Sequence, residues 1–427
     1  MTTSLRSAGR LAEINLLDLD RWARHGAPFH WFALLRDVAP VWRHPSPGDG
    51  SGFWVVSSYE QVVALGKCPH ALSSDVARGG VAGLGPGDEL QTMQDQLGAA
   101  TGFRDSPETA MLLSMDPPEH TGYRKIVNKG FTPRMISLLE DKVRGLANRY
   151  LDGRPAGEPF DLVTELSMPL PITVIAEMLG IPSARHADLA RWSNEAVAGT
   201  DPEYRNDKAF SELQALVELL QAFDTLKQDR VDSPGDDIAS VLLGAVVDGE
   251  TLTPARFKMF LLLLLIAGNE TTRNGISHAV LNLATFPEQW ERLRQDPALV
   301  PSAVEEVLRV ASPVLYFRRN VVADVDVAGQ TLAAGDLVSL WYASANRDAA
   351  VFDEADRFDV GRTPNPHVAF GGGGPHFCLG ASLARLEIRL VLEALLDRFE
   401  TLELLGPPDR LRSNFLHGIK HLPVAFR

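Results

Sequence analysis

The stretch Phe370-Gly371-Gly372-Gly373-Gly374-Pro375-His376-Phe377-Cys378-Leu379-Gly380 decides how this chain is read. Four consecutive glycines leave almost no side chain around one cysteine. A helical pattern rich in Ala, Leu, Arg and Glu follows directly, from Leu379 to about Phe399. Backbone N–H groups at a helix start stabilise negative charge and lower a thiol's pKa. Gly380 leaves room for a flat object to approach the backbone.

A desolvated thiolate beside helix-start donors is what an axial haem ligand requires. Two other readings stay open on this segment alone. One is a buried, inert cysteine behind a glycine loop. The other is a phosphate loop, although no Gly-Lys-Ser/Thr follows.

This stretch closes a loop over 361–380, whose part 361–375 is rich in Asn, Pro and Gly. Before it, Val321–Val327 and Leu337–Trp341 read as short strands joined by turns at Gly329 and Gly335. Phe53–Ser57 reads as another strand, and Phe415–Phe426 as a hairpin around His417-Gly418. From Asp116 to roughly residue 310 the pattern is mainly helical. Thr253-Pro254 is a good helix start, with Thr as N-cap and Pro in the first turn. Apolar residues then run to Phe286, and Pro287 stops them. That predicts a helix over 253–286 of about 33 residues, roughly 50 Å long. Its first half is apolar nearly all round, so it belongs in the centre. Residues 73–113 crowd glycines into a polar, weakly periodic segment, the texture of a lid or binding loop. The fold class is mainly α with a minor β portion, in a single domain over 1–427.

The middle of the long helix carries Ala267-Gly268-Asn269-Glu270-Thr271-Thr272. An acid and two β-branched hydroxyl residues are poor helix-interior choices. Gly268 opens a dent, and the Thr271 hydroxyl can bond back to the Ala267 carbonyl. A dent with an acid–alcohol pair offers a seat for a small molecule and a proton path through water. A polar cluster satisfying a kinked helix is the plainer reading. Glu306 and Arg309 share a helix face at i,i+3, as do His120 and Arg124 at i,i+4. Taken alone, such pairs are ordinary surface partners.

The composition sets outer bounds. The 427 residues are 45% hydrophobic and 22% charged, with a net charge of −14, which argues against wholesale nucleic-acid binding. Two cysteines, Cys68 and Cys378, allow neither a disulfide framework nor a four-cysteine zinc site. The most apolar stretch, Met259–Gly268, is ten residues long, against the about 20 that span a bilayer. The N-terminus lacks a signal-peptide core, so a soluble, cytoplasmic protein without a membrane span is expected.

Taken in order, these pieces resemble the cytochrome P450 superfamily of haem-thiolate monooxygenases from about residue 30 onward. The resemblance implies a triangular helical prism around a buried haem b. It implies Cys378 as the thiolate on iron, and Glu270 and Thr271 as managers of protons for dioxygen, in a groove formed by Ala267 and Gly268. Glu306 and Arg309 match the family's structural pair, with Arg362 as a third partner. His120, Arg124, Arg319 and His376 match the positions that hold the haem propionates. One departure stands out: Phe370 lies eight residues before Cys378, where the common bacterial loop has seven. The extra glycine, with AGNETTRN, SPVLYFRRN, AAGDLVSLWYASANRD and LHGIKHLP, is similar to an actinobacterial subgroup that oxidises terminal methyl groups. Its substrates are methyl-branched fatty acids, isoprenoids and sterol side chains such as cholestenone.

On this resemblance Val314, Leu315, Phe317, Leu264, Phe415 and Leu416 face the distal side of the haem, and an apolar substrate fits. Electrons then come from a ferredoxin and its ferredoxin reductase. Residues 121–150 hold Arg124, Lys125, Lys129, Arg134, Lys142, Arg144 and Arg149 against Glu140 and Asp141, a basic face for an acidic ferredoxin. A haem-binding or sensing protein without turnover is the competing class.

Overall fold

The computed structural model describes residues 9–45, 52–78, 80–81, 83–84, 110–197, 201–203, 209–247 and 249–427. Most of the expected lid over 73–113, namely residues 79, 82 and 85–109, lies outside the described residues. Four helices position the site: α1 (Glu119–Val127), α2 (Pro254–Thr285), α3 (Val300–Ala311) and α4 (Ala381–Leu396). The longest, α2, has 32 residues and starts as the sequence predicts. The Thr253 side chain accepts the Arg256 amide at 3.2 Å, and Pro254 opens the first turn. Its apolar first half buries Phe257, Met259, Phe260, Leu261, Leu262, Leu264 and Leu265. The helix Pro169–Leu179 and α3 and α4 pack around it in one apolar cluster. Among the described residues no helix is long and apolar enough to cross a membrane.

A five-stranded sheet lies beside the helices, formed by β1 (Val41–His44), β2 (Phe53–Val56), β3 (Leu72–Ser73), β4 (Tyr316–Val321) and β5 (Leu337–Trp341). The strand order is β1-β2-β5-β4-β3, with only the β5–β2 pair parallel. The expected strand over 321–327 is divided. β4 ends at Val321, and Val325–Val327 pairs instead with Gln330–Leu332. Asp324 lies between the two strands, and its carboxylate accepts the Ala334 amide at 2.9 Å. The last hairpin also differs in register from the expectation. Asp409–Arg410 pairs with Ile419–His421, while Pro423–Phe426 joins Leu402–Leu404 and Phe160–Asp161.

Glu306 and Arg309 are both fully buried, in contrast to the usual surface pair. Arg309 Nε and Nη2 reach the two Glu306 oxygens at 2.7 and 2.8 Å. Its remaining donors go to the carbonyls of Asn346, Ala355 and Arg357. Arg362 adds a third charge at 3.1 Å from Glu306, and the Asp359 amide and Asn365 side chain also donate to that carboxylate. One ion pair therefore gathers the meander 346–365 under α3. Removing one partner of a buried pair costs about 3–5 kcal/mol, because the other charge is stranded. Glu306→Ala is therefore expected to yield little folded protein, whereas reversing the exposed Arg357 leaves the thermal midpoint nearly unchanged. Thermal unfolding of the two variants checks this.

Candidate active site

The glycines at 371–374 are demanded by close packing. Gly371, Gly373 and Gly374 have φ of 97°, 96° and 77°, backbone conformations that side chains disfavour. A Cβ on Gly374 would sit 2.3 Å from the Gly66 carbonyl oxygen, at the end of the helix Tyr59–Gly66. The loop is thereby pressed against that helix, and Cys378 emerges with its amide donating to the Phe370 carbonyl at 3.0 Å.

The Cys378 sulfur opens onto a cavity bounded by the loop, the start of α4, the middle of α2 and strand β4. It is accessible from that cavity, yet surrounded by protein. Burial pushes its pKa up, against the opposing effects of the Gly380 amide and the Arg124 and Arg385 charges. The helix-start Gly380 amide lowers it, as the sequence predicts, but desolvation outweighs that effect. An added Cβ at Gly380 meets nothing within 4 Å, so the space there is open.

His120, Arg124, Arg319 and His376, from four separate segments, line the same cavity. The His120 and His376 rings lie 4.3 Å apart. Desolvation, then the charge of Arg124, lowers His120 to about 4. Desolvation, then Arg319, His120 and Arg124, lowers His376 to about 2. Arg319 is lowered by burial as well. The buried His120 Nδ1 has no hydrogen-bond partner among the described residues. Arg124 donates to the Phe377 carbonyl, and Arg319 Nη1 to the Arg318 carbonyl at 2.7 Å. Among the described residues no carboxylate lines this cavity. A cluster of cationic and neutral donors without an anion calls for an acid-bearing ligand.

On α2 the cavity face is Phe260, Leu263, Leu264, Ala267, Gly268, Thr271 and Thr272. The Thr271 hydroxyl donates to the Ala267 carbonyl at 2.8 Å, as the sequence predicts. Glu270 is not on that face. It is buried and bridged to Arg273 at 3.0 Å. Neighbouring helical residues point about 100° apart, so an adjacent acid and alcohol do not share one direction.

Residues 204–424 match the cytochrome P450 family. The chain belongs to that family. Its fold, with the helices gathered on α2 beside a smaller sheet, is the cytochrome P450 fold, and the enzyme is a monooxygenase carrying haem b. The chain is 40% identical over 431 residues to a methyl-branched lipid omega-hydroxylase of Mycobacterium tuberculosis, covering 97% of this chain and 95% of the relative. It is 39% identical over 398 residues to the linalool 8-monooxygenase of Pseudomonas putida, with 93% and 95% covered. A solved Mycobacterium marinum cytochrome P450 in complex with pseudoionone superimposes with a TM-score of 0.86 at 35% identity, covering 97% of this chain and 98% of that one.

The residues present in this cytochrome P450 fit the haem. Cys378 would supply the thiolate, Gly380 the room beside it, and His120, Arg124, Arg319 and His376 the donors to two propionates. Three expected distal residues do not line the cavity. Leu315, Phe415 and Leu416 pack instead with Tyr316 and Trp341 in a neighbouring apolar cluster. The cause is pairing: Leu315 N bonds to the Phe415 carbonyl at 2.8 Å, and Val314 bridges to Leu416. Val314, Phe317 and Leu264 do line it. So do Leu112, Leu113, Ile175, Phe260 and Leu263, which sequence reasoning missed. Phe260 and Leu263 were findable, being seven and four residues before Ala267 on one helical face.

Cys378→Ala is expected to abolish the red-shifted Soret band of the reduced, carbon monoxide-treated protein, and Arg319→Leu to reduce haem retention severalfold on gel filtration. An unaltered spectrum for Cys378→Ala would overturn the ligand assignment.

Proposed function

We propose that this cytochrome P450 hydroxylates an unactivated C–H, the terminal methyl of a methyl-branched fatty acid, lipid or isoprenoid. The cavity wall carries the reading. Leu112, Leu113, Phe260, Leu263, Leu264, Val314 and Phe317 line it, and its charged or titratable lining side chains among the described residues are Cys378, Tyr342 and the four propionate donors. Among the described residues no cation lining the cavity is left over for a substrate carboxylate. Binding is therefore driven by buried apolar area, roughly 25 cal/mol per Å². Relatives whose names specify a methyl-branched lipid and linalool support the same class.

The haem, when bound, supplies the redox chemistry that splits dioxygen, one atom going to the substrate and the other to water with two electrons and two protons. Thr271 spends its hydroxyl hydrogen on Ala267, so its lone pairs accept from water in the groove beside Gly268. Glu270 joins this path by exchanging Arg273 for a cavity water. Electrons come from an acidic ferredoxin served by ferredoxin reductase, docked on the basic segment. That surface is narrower than its composition suggests. Lys142 is bridged to Glu177, Arg144 to Glu140 and Glu393, and Arg124 turns to the cavity. Lys125, Lys129, Arg134 and Arg149 remain exposed.

A spin-state titration across branched fatty acids, terpenoids and sterols, with mass analysis of products, tests the substrate class. Response and terminal hydroxylation are expected for a branched lipid or isoprenoid. A response confined to cholestenone-type steroids moves the substrate to the steroid side chain. NADPH uptake without any oxygenated product favours sensing over turnover. Thr271→Ala is expected to divert more of the NADPH consumed into peroxide, by a factor of about ten; unaltered coupling would remove its role. Lys125→Glu with Lys129→Glu is expected to slow reduction by ferredoxin at low salt, and an unchanged rate would refute docking there.

A further inference from the structure

Arg385 stands in the second turn of α4, beneath the loop that carries Cys378. Its guanidinium grips Glu305 of α3 in a fork, Nε to Oε1 at 2.6 Å and Nη2 to Oε2 at 2.8 Å. The same guanidinium lies 4.5 Å from the centroid of the Phe370 ring. Phe370 in turn accepts the Cys378 amide through its carbonyl. Glu305 Oε2 lies 3.0 Å from His367 Nε2, and His367 Nδ1 accepts the Ala369 amide at 3.2 Å. That second bond places the imidazole hydrogen on Nε2, so His367 donates to Glu305. Arg385, Glu305, His367 and Phe370 thus close a ring around the residues leading into the thiol.

The ring is also a charge device. Burial works against ionised Glu305, but hydrogen bonds from His367 and Arg385 and the Arg385 charge bring it down to about 2. The charges of Arg124 and Arg385 both act on the Cys378 thiol. Reduction adds one negative charge at the iron, so a nearby cation favours it and a nearby anion opposes it.

We propose that Arg385 and Glu305 are positioning residues that hold the thiolate loop through Phe370 and set the reduction potential of the iron at Cys378, Arg385 raising the potential and Glu305 restraining that rise. The inference rests on Cys378 as the ligand. The experiment is a spectral redox titration with a chemical reductant, which needs no protein donor and is blind to changes in docking. Each protein is first checked for the red-shifted carbon monoxide band. Arg385→Leu is expected to lower the potential and Glu305→Gln to raise it, each by about threefold or more in the one-electron equilibrium constant. The double variant Arg385→Leu with Glu305→Leu returns close to wild type. Arg385→Lys keeps the charge and loses the fork, so it is expected to hold the potential while losing the red-shifted band faster on warming. Arg385→Gln serves if the leucine variant takes up no haem. Shifts of one sign in both single variants, or no shift, would overturn the proposal. A wild-type protein without the red-shifted band would overturn the ligand assignment instead.

Discussion

A guanidinium with no exposed surface must place every N–H on an acceptor, and Arg309 does so with Glu306 and three backbone carbonyls. Those carbonyls belong to Asn346, Ala355 and Arg357, which otherwise share no regular structure. Desolvating such a charge is costly, so its partners are fixed wherever the fold forms. The irregular chain from 346 to 365 is therefore as constrained as a strand. It delivers His367, Phe370 and then Cys378 to the end of α4. The chemistry of the site depends on an ion pair that never touches it.

The site is an apolar chamber with its polar groups sorted by sign. Donors come from α1, β4 and the cysteine loop, and the acids near them are engaged elsewhere. Asp116 accepts from Ser73 and Ser74, and Glu270 is tied to Arg273 behind the helix face. That sorting explains how two depressed histidines and two arginines share one wall. The histidines are neutral there, so the charge on that wall is that of Arg124 and Arg319, which a dianionic ligand would offset.

Much of this was legible in the sequence. The N-cap Thr253, the stop at Pro287, the glycine loop and the Thr271 back-bond all follow from local rules, and local rules are short-range. The pair Glu306–Arg309 was readable as a pair, but its burial was not, since i,i+3 spacing is the same on a surface. The same limit hid the positions of Leu315, Phe415 and Leu416. Whether an apolar residue faces a chamber or a core depends on which segment pairs with it, and the Leu315–Phe415 bond joins residues about a hundred positions apart. Glu270 shows the limit most plainly. Its identity suggested a relay with Thr271, but nothing local told that its carboxylate rests on Arg273.

The contact between Gly374 and Gly66 spans about 300 residues of chain. Two distant segments have to be brought together before the cysteine loop has anything to lean on, and the entropy of closing so long a span grows only slowly with its length. The cradle for the porphyrin is thus a product of global topology, assembled once the amino-terminal and carboxyl-terminal halves have met. A nascent chain still lacking its last hundred residues holds all of α2 but not yet Cys378.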